Sequence, residues 1–486
     1  MTGPDELFRR ILAFLPYEPN EQQVQVAAAL GRFCTADMIA GPDRVFVLNG
    51  YAGTGKTSLT GALVKALAYY SVNTVLLAPT GRAAKVFGAF AGRAAATIHR
   101  AIYRHALPGQ SGAPQLRESR QRDTVFIVDE ASMIAADERE NILADLIQYV
   151  YGAYNCRMIL LGDTAQLPPV GSEVSPAMEP DVLRAMGLKV NRTTLTQVAR
   201  QGSGSGILAN ATRLRRALTA IPAGTPAVTH VTGPEGAPAE PAAVVPLALS
   251  GYPDVHIAFA DELPDILASL YKADGPEETI IITRSNRSAA DYNQAVRNAV
   301  LGREDFITPG DLMIAAKNNY FWTRGTRGIG FVANGEILRL RRILGTETRY
   351  GLHFADVVLE LPDNPEVNFE AKIIVSALVG YDAALDREGT RRLYEGVYRD
   401  PSVMPPGAPH EERLAIMRRS PYFNALQMKF AYAVTCHKAQ GGQWKHVFVD
   451  LGHVPADASA PDYLRWLYTA ITRARENLYF INAPES

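Results

Sequence analysis

Along the first two hundred residues, short apolar runs alternate with helix-like runs. The runs VFVLN (45–49), TVLLA (74–78), VFIVD (125–129) and MILLGD (158–163) read as buried strands, and helical patterns begin near Ser58, Arg82 and Asp137. Such alternation implies βαβ units, a parallel sheet and helices on both faces, with ligands gathering at the carboxyl ends of the strands. A polar, Gly/Pro-bearing segment at 104–124 interrupts the pattern and fits a small hairpin insertion. Residues 219–254, rich in Pro, Ala and Gly, read as a linker or surface loop. Beyond it come VHIAFA, a helix near 262–272, the strand TIIIT (279–283) and a helix from Ser288 to Leu301. Residues 305–400 then carry β-rich runs (EILRLRRIL, DVVLEL, AKIIVSAL) without long helices between them, which predicts a small antiparallel barrel inserted in a second α/β unit. That unit resumes with FAYAVT, HVFVDL, a long helix over 461–475 and the closing strand NLYFIN.

At 486 residues the chain exceeds one hydrophobic core, so two to four domains are expected. Its 47% apolar and 20% charged content is that of an ordinary soluble protein, and its net charge of −1 requires any polyanion to bind in a local basic channel. The three cysteines form no C-x-x-C pair, so neither a zinc site nor a disulfide framework is expected, and a reducing cytoplasm fits. No stretch approaches 18 apolar residues and the start lacks a secretion-signal pattern, so no membrane partner is expected.

The first candidate chemistry is GYAGTGKT, Gly50 to Thr57, directly after VFVLN and before the helical run SLTGALVKALAYY. It fits G-x-x-x-x-G-K-[ST] in the strand–loop–helix context that motif demands, so Gly50, Ala52, Gly53, Thr54, Gly55, Lys56, Thr57 and Ser58 are candidate triphosphate-binding residues. Backbone N–H groups of the loop form a positive concavity at a helix N-terminus, Lys56 reaches the β- and γ-phosphates, and the Thr57 hydroxyl ligates Mg²⁺. In VDEAS, Asp129 at a strand end can hold Mg²⁺ and Glu130 can orient or deprotonate the attacking water. In GDTAQLPPV, Gln166 can hydrogen-bond the γ-phosphate or that water, although a plain turn role for Asp163 and Gln166 explains the residues equally well. Near the C-terminus, Arg473 and Arg475 lie two positions apart on an expected helix and so point differently; Arg473 is the choice for an arginine finger acting across a domain cleft.

The ordered set GYAGTGKT, APTGRAAK, TIHRAIY, VDEAS, GDTAQLPPV, LTQVARQ, VTCHKAQGGQW and YTAITRARE resembles the motifs of superfamily 1 helicases, and most closely the RecD-like and Dda-like branch that moves 5′→3′ on single-stranded DNA. The resemblance runs from about Gln23 to Arg475. It implies an α/β fold of two RecA-like P-loop domains with parallel sheets, a small hairpin insertion in the first and a β-barrel (SH3-like) insertion in the second. The implied boundaries are 1–200 for the first domain, interrupted by a pin-like insertion at 98–124, then 201–302 with 425–486 for the second, and 303–424 for its insert. By the same resemblance Gln23 reads adenine, Arg200 is a second γ-phosphate arginine, and Gln440 couples DNA to nucleotide. Pro79, Thr80, Arg82, Lys85, Thr97 and His99 contact the DNA strand from the first domain, and Thr435, His437 and Lys438 from the second.

These residue types suit a motor, because phosphate contacts from Lys, Arg, Thr and backbone N–H groups carry no sequence information. His99, Tyr103 and Trp444 are candidate base-stacking platforms, with core packing an equal alternative; KNNYFWTRGTRGIG (317–330) can touch DNA or be an ordinary hairpin loop. The 104–124 insertion has no aromatic at its tip to serve as a strand-separating pin. The expected function is an ATP- and Mg²⁺-dependent helicase or translocase on single-stranded and forked DNA. It is expected to be monomeric and to work alongside single-strand-binding, replication or recombination proteins. The rivals are the helicase subunit of a recombination nuclease and a DNA-stimulated P-loop ATPase switch that does not unwind. A metabolite kinase is the more remote third, since it needs no second α/β unit.

Overall fold

In a computed structural model of the chain, the described residues are 3–35, 44–104, 115–136, 141–169, 171–198, 204–221, 247–452 and 459–483. The first lobe is a six-stranded sheet in the order 96–97, 73–78, 124–128, 157–162, 44–50, 189–195, and every pairing in it is parallel. The expected apolar runs are its central strands, and two of them, Thr124–Val128 and Arg157–Gly162, are buried at every position. The sixth strand, Lys189–Leu195, escaped the pattern because it alternates polar residues on an exposed edge (KVNRTTL). Helices Lys56–Tyr69 and Gly81–Ala91 start within three residues of the expected positions. The third runs Ile142–Tyr151, capped by Asn141. In the hairpin insertion, Tyr103–Arg104 pairs antiparallel with Gln115–Leu116; its tip lies outside the described residues, as does most of the 219–254 segment.

The second lobe has its own parallel sheet, ordered 433–435, 279–283, 444–450, 474–481, 255–258. Between its strands is inserted a five-stranded antiparallel sheet built from Leu312–Ala315, Ile337–Arg349, Leu352–Leu361, Asn364–Ile374 and Met428–Phe430. Register shifts after Leu340 and Ile343 bend the long second strand, and a parallel bridge from Ile373 to Leu426 brings the two edges of the sheet together. The insert is not helix-free as its β-rich runs imply: Arg387–Arg399 and His410–Met417 are helices packed on its flank through Leu393, Val397 and Met417. A helix on a surface flank needs only a narrow apolar stripe, and Arg387–Arg399 is polar at most positions.

A second correction concerns the C-terminal helix, expected over 461–475. It runs Ala460–Ile471 and is closed by Thr472, whose hydroxyl donates back to the Tyr468 carbonyl at 2.8 Å. Arg473 therefore stands in the connection, and Arg475 lies on the strand Ala474–Ile481, ion-paired with Glu278. The chain turns here because Trp444 N–H binds the Arg473 carbonyl (3.0 Å), recruiting the next residues into the parallel sheet.

A buried ionic knot ties insert to lobe. Asp311, just before the insert's first strand, accepts from Arg297 (3.1 and 3.2 Å), Arg303 (2.8 Å), the Thr308 N–H (2.8 Å) and the Tyr432 hydroxyl (3.2 Å).

Candidate active site at the phosphate loop and interlobe contact

The strand Arg44–Gly50 delivers the chain into the loop, and the helix Lys56–Tyr69 leaves it. Gly53 and Gly55 hold φ of +75° and +78°, which strains any L side chain, and a Cβ on Gly53 would lie 2.7 Å from Leu208 Cδ2 and push that methyl aside. Thr54 is buried, its hydroxyl bonded to the Tyr51 carbonyl at 2.7 Å. Lys56, Thr57 and Ser58 open the helix and are half-buried.

Two adjacent strand ends place acids against Lys56. Asp129 is buried deeply enough to be pushed up to about 6, with the Lys56 ammonium opposing that rise and Glu130 adding to it. Asp163 is likewise raised by burial, again opposed by Lys56. Glu130 takes a left-handed backbone (φ +51°), an unusual conformation for a non-glycine residue. Its Oε2 is buried and has no hydrogen-bond partner among the described residues, and the same is true of Gln166 Oε1. Buried polar atoms are costly when unpaired, so two of them beside a glycine-rich loop mark a place built for a polar ligand. This donor set fits a triphosphate with Mg²⁺: Thr57 and Asp129 are the residues that would hold the metal, and Glu130 and Gln166 supply the free acceptors.

Gln23 and Gln22 separate cleanly. Gln23 is buried and its amide donates to the Thr54 carbonyl (2.9 Å) and the Tyr17 hydroxyl (3.3 Å), which sets it behind the loop. Gln22 instead accepts from the backbone of Thr196 and Gln197 (2.9 and 3.0 Å) and fixes the end of the edge strand. Arg200 lies outside the described residues.

From the second lobe, Gln440, Thr469 and Tyr468 reach the loops around the phosphate site, while Arg465 and Arg215 donate to the carbonyls of Glu173 and Thr196 further out. Gln440 donates to the Leu167 carbonyl (2.8 Å), Thr469 accepts from the Leu167 N–H (2.8 Å), and Tyr468 accepts from the Ala52 N–H (2.8 Å) while donating to Asp163 Oδ2 (2.7 Å). Gln440 thus touches the loop after strand 157–162, one residue from Gln166. Arg473 is buried and donates to the carbonyls of Thr469 (3.0 Å) and Gly442 (3.4 Å), both in its own lobe. Tyr468 and Thr469 were missed in the sequence, where the only signal is two adjacent hydroxyls in an otherwise apolar helical run, WLYTAI.

The expected strand-binding residues lie along the tops of both sheets. Thr80 caps the helix Gly81–Ala91 by accepting from the Ala83 N–H (3.2 Å), and Pro79 precedes it. Arg82 stacks 3.9 Å over the Trp444 ring and donates to the Gln443 carbonyl (3.0 Å), crossing to the second lobe. Lys85 pairs with Asp363 of the insert (3.1 Å). Thr97 is buried as the cap of Ile98–Ile102, and His99 lies against Tyr103 with ring centroids 5.6 Å apart. On the second lobe Thr435 ends a strand, His437 is exposed, and Lys438 extends to the Ala383 carbonyl (3.4 Å). Thr435 and Lys438 line a cleft with Asn286, Gly380 and Lys429. Two of the candidate stacking platforms are core residues instead: Tyr103 is buried with its hydroxyl on Asp145 (2.6 Å), and Trp444 is covered by Arg82.

A glycine-rich loop between parallel strand and helix, flanked by acid-tipped strands, places the first lobe among P-loop nucleotide-binding domains. A family profile described as an AAA domain matches residues 28–230, and one described as a UvrD-like helicase C-terminal domain matches 430–481. The ATP-dependent RecD2 DNA helicase of Deinococcus radiodurans is 33% identical over 172 residues, which is 35% of this chain and 22% of that protein. The ATP-dependent DNA helicase dda of Enterobacteria phage T4 is 32% identical over 131 residues, 25% of this chain and 28% of that protein. The chain thus covers less than a third of the length of either relative. A crystal structure of Pif1 helicase from Bacteroides in complex with ADP-AlF3 and ssDNA aligns over 97% of this chain and 94% of that one, with 14% identity and a TM-score of 0.48. In its matched segments the chain is similar to superfamily 1 helicases of the RecD-like and Dda-like branch. Among the described residues, no helix is long and apolar enough to cross a membrane.

Proposed function

We propose that the chain is an ATP-dependent DNA helicase or translocase that moves 5′→3′ on single-stranded DNA and separates duplex. The observation that carries this is the loop Gly50–Thr57 with Lys56 against two buried carboxylates, gripped from the second lobe through Ala52, Asp163 and Leu167. Nucleotide and second lobe share those contacts, so a change at one biases the other. The two relatives named above as ATP-dependent DNA helicases support the same reading.

In this reading Lys56 binds the β- and γ-phosphates, Thr57 and Asp129 hold Mg²⁺, and Glu130 accepts the proton of a water that Gln166 orients. Bound Mg²⁺ would supply neutralisation of charge on the phosphates. Gln23 sits behind the loop on the adenine side, and Arg200 and Arg473 complete the γ-phosphate site once the lobes close further. DNA lies across Pro79, Thr80, Arg82, Lys85, Thr97 and His99 on one lobe and Thr435, His437 and Lys438 on the other. Arg82 and Lys85 exchange Trp444 and Asp363 for phosphate. Residues 1–200 form the first RecA-like unit with its pin-like insert at 98–124. The second unit comprises 201–302 and 425–486, and 303–424 form an SH3-like barrel. The protein acts as a cytoplasmic monomer alongside single-strand-binding or recombination proteins.

The test is strand displacement on duplexes carrying only a 5′ or only a 3′ single-stranded tail. ATP-dependent displacement from the 5′ tail is expected. Hydrolysis stimulated by single strands with no displacement from either tail would replace the motor with a non-unwinding ATPase.

A further inference from the structure

The helix Ala460–Ile471 presents consecutive hydroxyls to the first lobe, and each meets a different loop. Tyr468 is 1% exposed; its oxygen accepts from the Ala52 N–H inside the phosphate loop at 2.8 Å and its proton goes to Asp163 Oδ2 at 2.7 Å. The direction is fixed by chemistry, since a backbone N–H can only donate and the phenol has a single proton. Burial and the neighbouring Asp163 push the phenol well above its usual range, so that proton stays in place. One residue on, Thr469 accepts from the Leu167 N–H at 2.8 Å, in the loop that carries Gln166. Asp163 Oδ1 in turn holds the Ala165 N–H at 3.0 Å, so the first turn of that loop hangs on the carboxylate that Tyr468 grips.

The same helix and the turn that follows it are fastened to the candidate DNA-binding segment. Cys436 Sγ lies 3.5 Å from the Trp466 carbonyl, Arg473 reaches Gly442, and Gln440 closes on the Leu167 carbonyl that belongs to the same residue as the Thr469 partner. A movement of Ala52 or Asp163 therefore pulls on a helix whose Trp466 carbonyl meets Cys436, in the segment that carries Thr435 and Lys438.

We propose that Tyr468 and Thr469 form a two-point clasp that couples occupancy of the phosphate loop to the posture of the second lobe. They are positioning residues: they act on Ala52, Asp163 and Leu167 rather than on the phosphates. The clasp deepens the helicase reading and rests on it for its DNA arm alone.

Tyr468→Phe removes both hydrogen bonds and keeps the ring; Thr469→Val removes the second point at nearly constant volume. Two readouts are taken on the full chain: the ratio of ATP hydrolysis with and without oligo(dT), and the change in tryptophan fluorescence on adding a non-hydrolysable ATP analogue. Trp466, in the clasping helix, and Trp444, beneath Arg82, report the second signal. For Tyr468→Phe the stimulation ratio is expected to fall at least tenfold while KM for ATP moves less than threefold, and the fluorescence change is lost. Thr469→Val is expected to lower both signals in the same direction, and is decisive should Tyr468→Phe not fold. Wild-type ratios and fluorescence changes in both folded variants would overturn the clasp. A wild-type chain with the fluorescence change but no DNA stimulation would remove the helicase reading; loss of that change in Tyr468→Phe would still uphold the clasp.

Discussion

Asp311→Asn probes how firmly the antiparallel insert is joined to the second lobe. The carboxylate is fully buried and takes five hydrogen bonds, three of them from the guanidinium groups of Arg297 and Arg303. Arg297 is itself 2% exposed and lies 4.3 Å over the Phe430 ring, so it has no route to water. An amide at 311 keeps the volume but turns one acceptor into a donor facing donors, and it leaves a buried cation uncompensated. Removing one partner of a buried pair costs about 3–5 kcal/mol. For a unit of roughly 150–250 residues each kcal/mol moves the midpoint by about 2–4 °C, which gives a fall of about 6–20 °C. Scanning calorimetry of the purified chain should show this loss in the transition of the second lobe, while the transition of the first lobe stays in place. A shift below about 2 °C would refute the reasoning, because it would mean that the pair is relaxed or hydrated and contributes little.

Lys56→Ala should lower DNA-stimulated hydrolysis by about 10²–10³-fold, as expected when a preorganised charge-stabilising group is removed. Binding of a fluorescent oligonucleotide should stay within a few-fold, and retained hydrolysis would discredit the loop assignment. The second expectation concerns pH. Asp129 rises to about 6 from 3.8, so the folded chain holds its proton more tightly than the unfolded chain. That contribution is fully present below pH 3.8 and is lost as pH rises through about 6, with an amplitude on the order of 3 kcal/mol at 1.36 kcal/mol per pH unit. Nucleotide-free urea unfolding of wild type minus Asp129→Asn should show the slope between pH 4 and 6, and parallel curves would contradict it.

The parallel cores were legible because a strand buried on both faces has to be a continuous apolar run, as in VFVLN, VFIVD and TIIIT. Lys189–Leu195 was not, since an edge strand needs apolar residues on one face at most, and here even that face is mixed. The helices of the insert hid for a similar reason: Arg387–Arg399 buries only Gly389, Leu393 and Val397. The loop Gly50–Thr57 and the acids after Val128 were readable because local geometry fixes their chemistry. Arg473 shows where such reading ends. The sequence reads as one helix over 461–475, whereas the Trp444 N–H, some thirty residues away, decides that the helix stops at Ile471. Tyr468 and Thr469 were beyond reach for the same reason, since their partners Ala52, Asp163 and Leu167 are three hundred or more residues distant. Tyr103 and Trp444 illustrate the converse, aromatic residues that sequence leaves open and the packing settles as core.

The most direct measurement is the affinity for oligo(dT) of one preparation, without nucleotide and with saturating non-hydrolysable ATP analogue. Two lobes that share a triphosphate through Ala52, Asp163 and Leu167 require the two constants to differ, by about 5–150-fold for an ordinary coupling free energy. They also require the oligonucleotide to shift analogue affinity by the same factor. Equal affinities in the two states would mean that the phosphate loop and the DNA track do not communicate, and the account would fail.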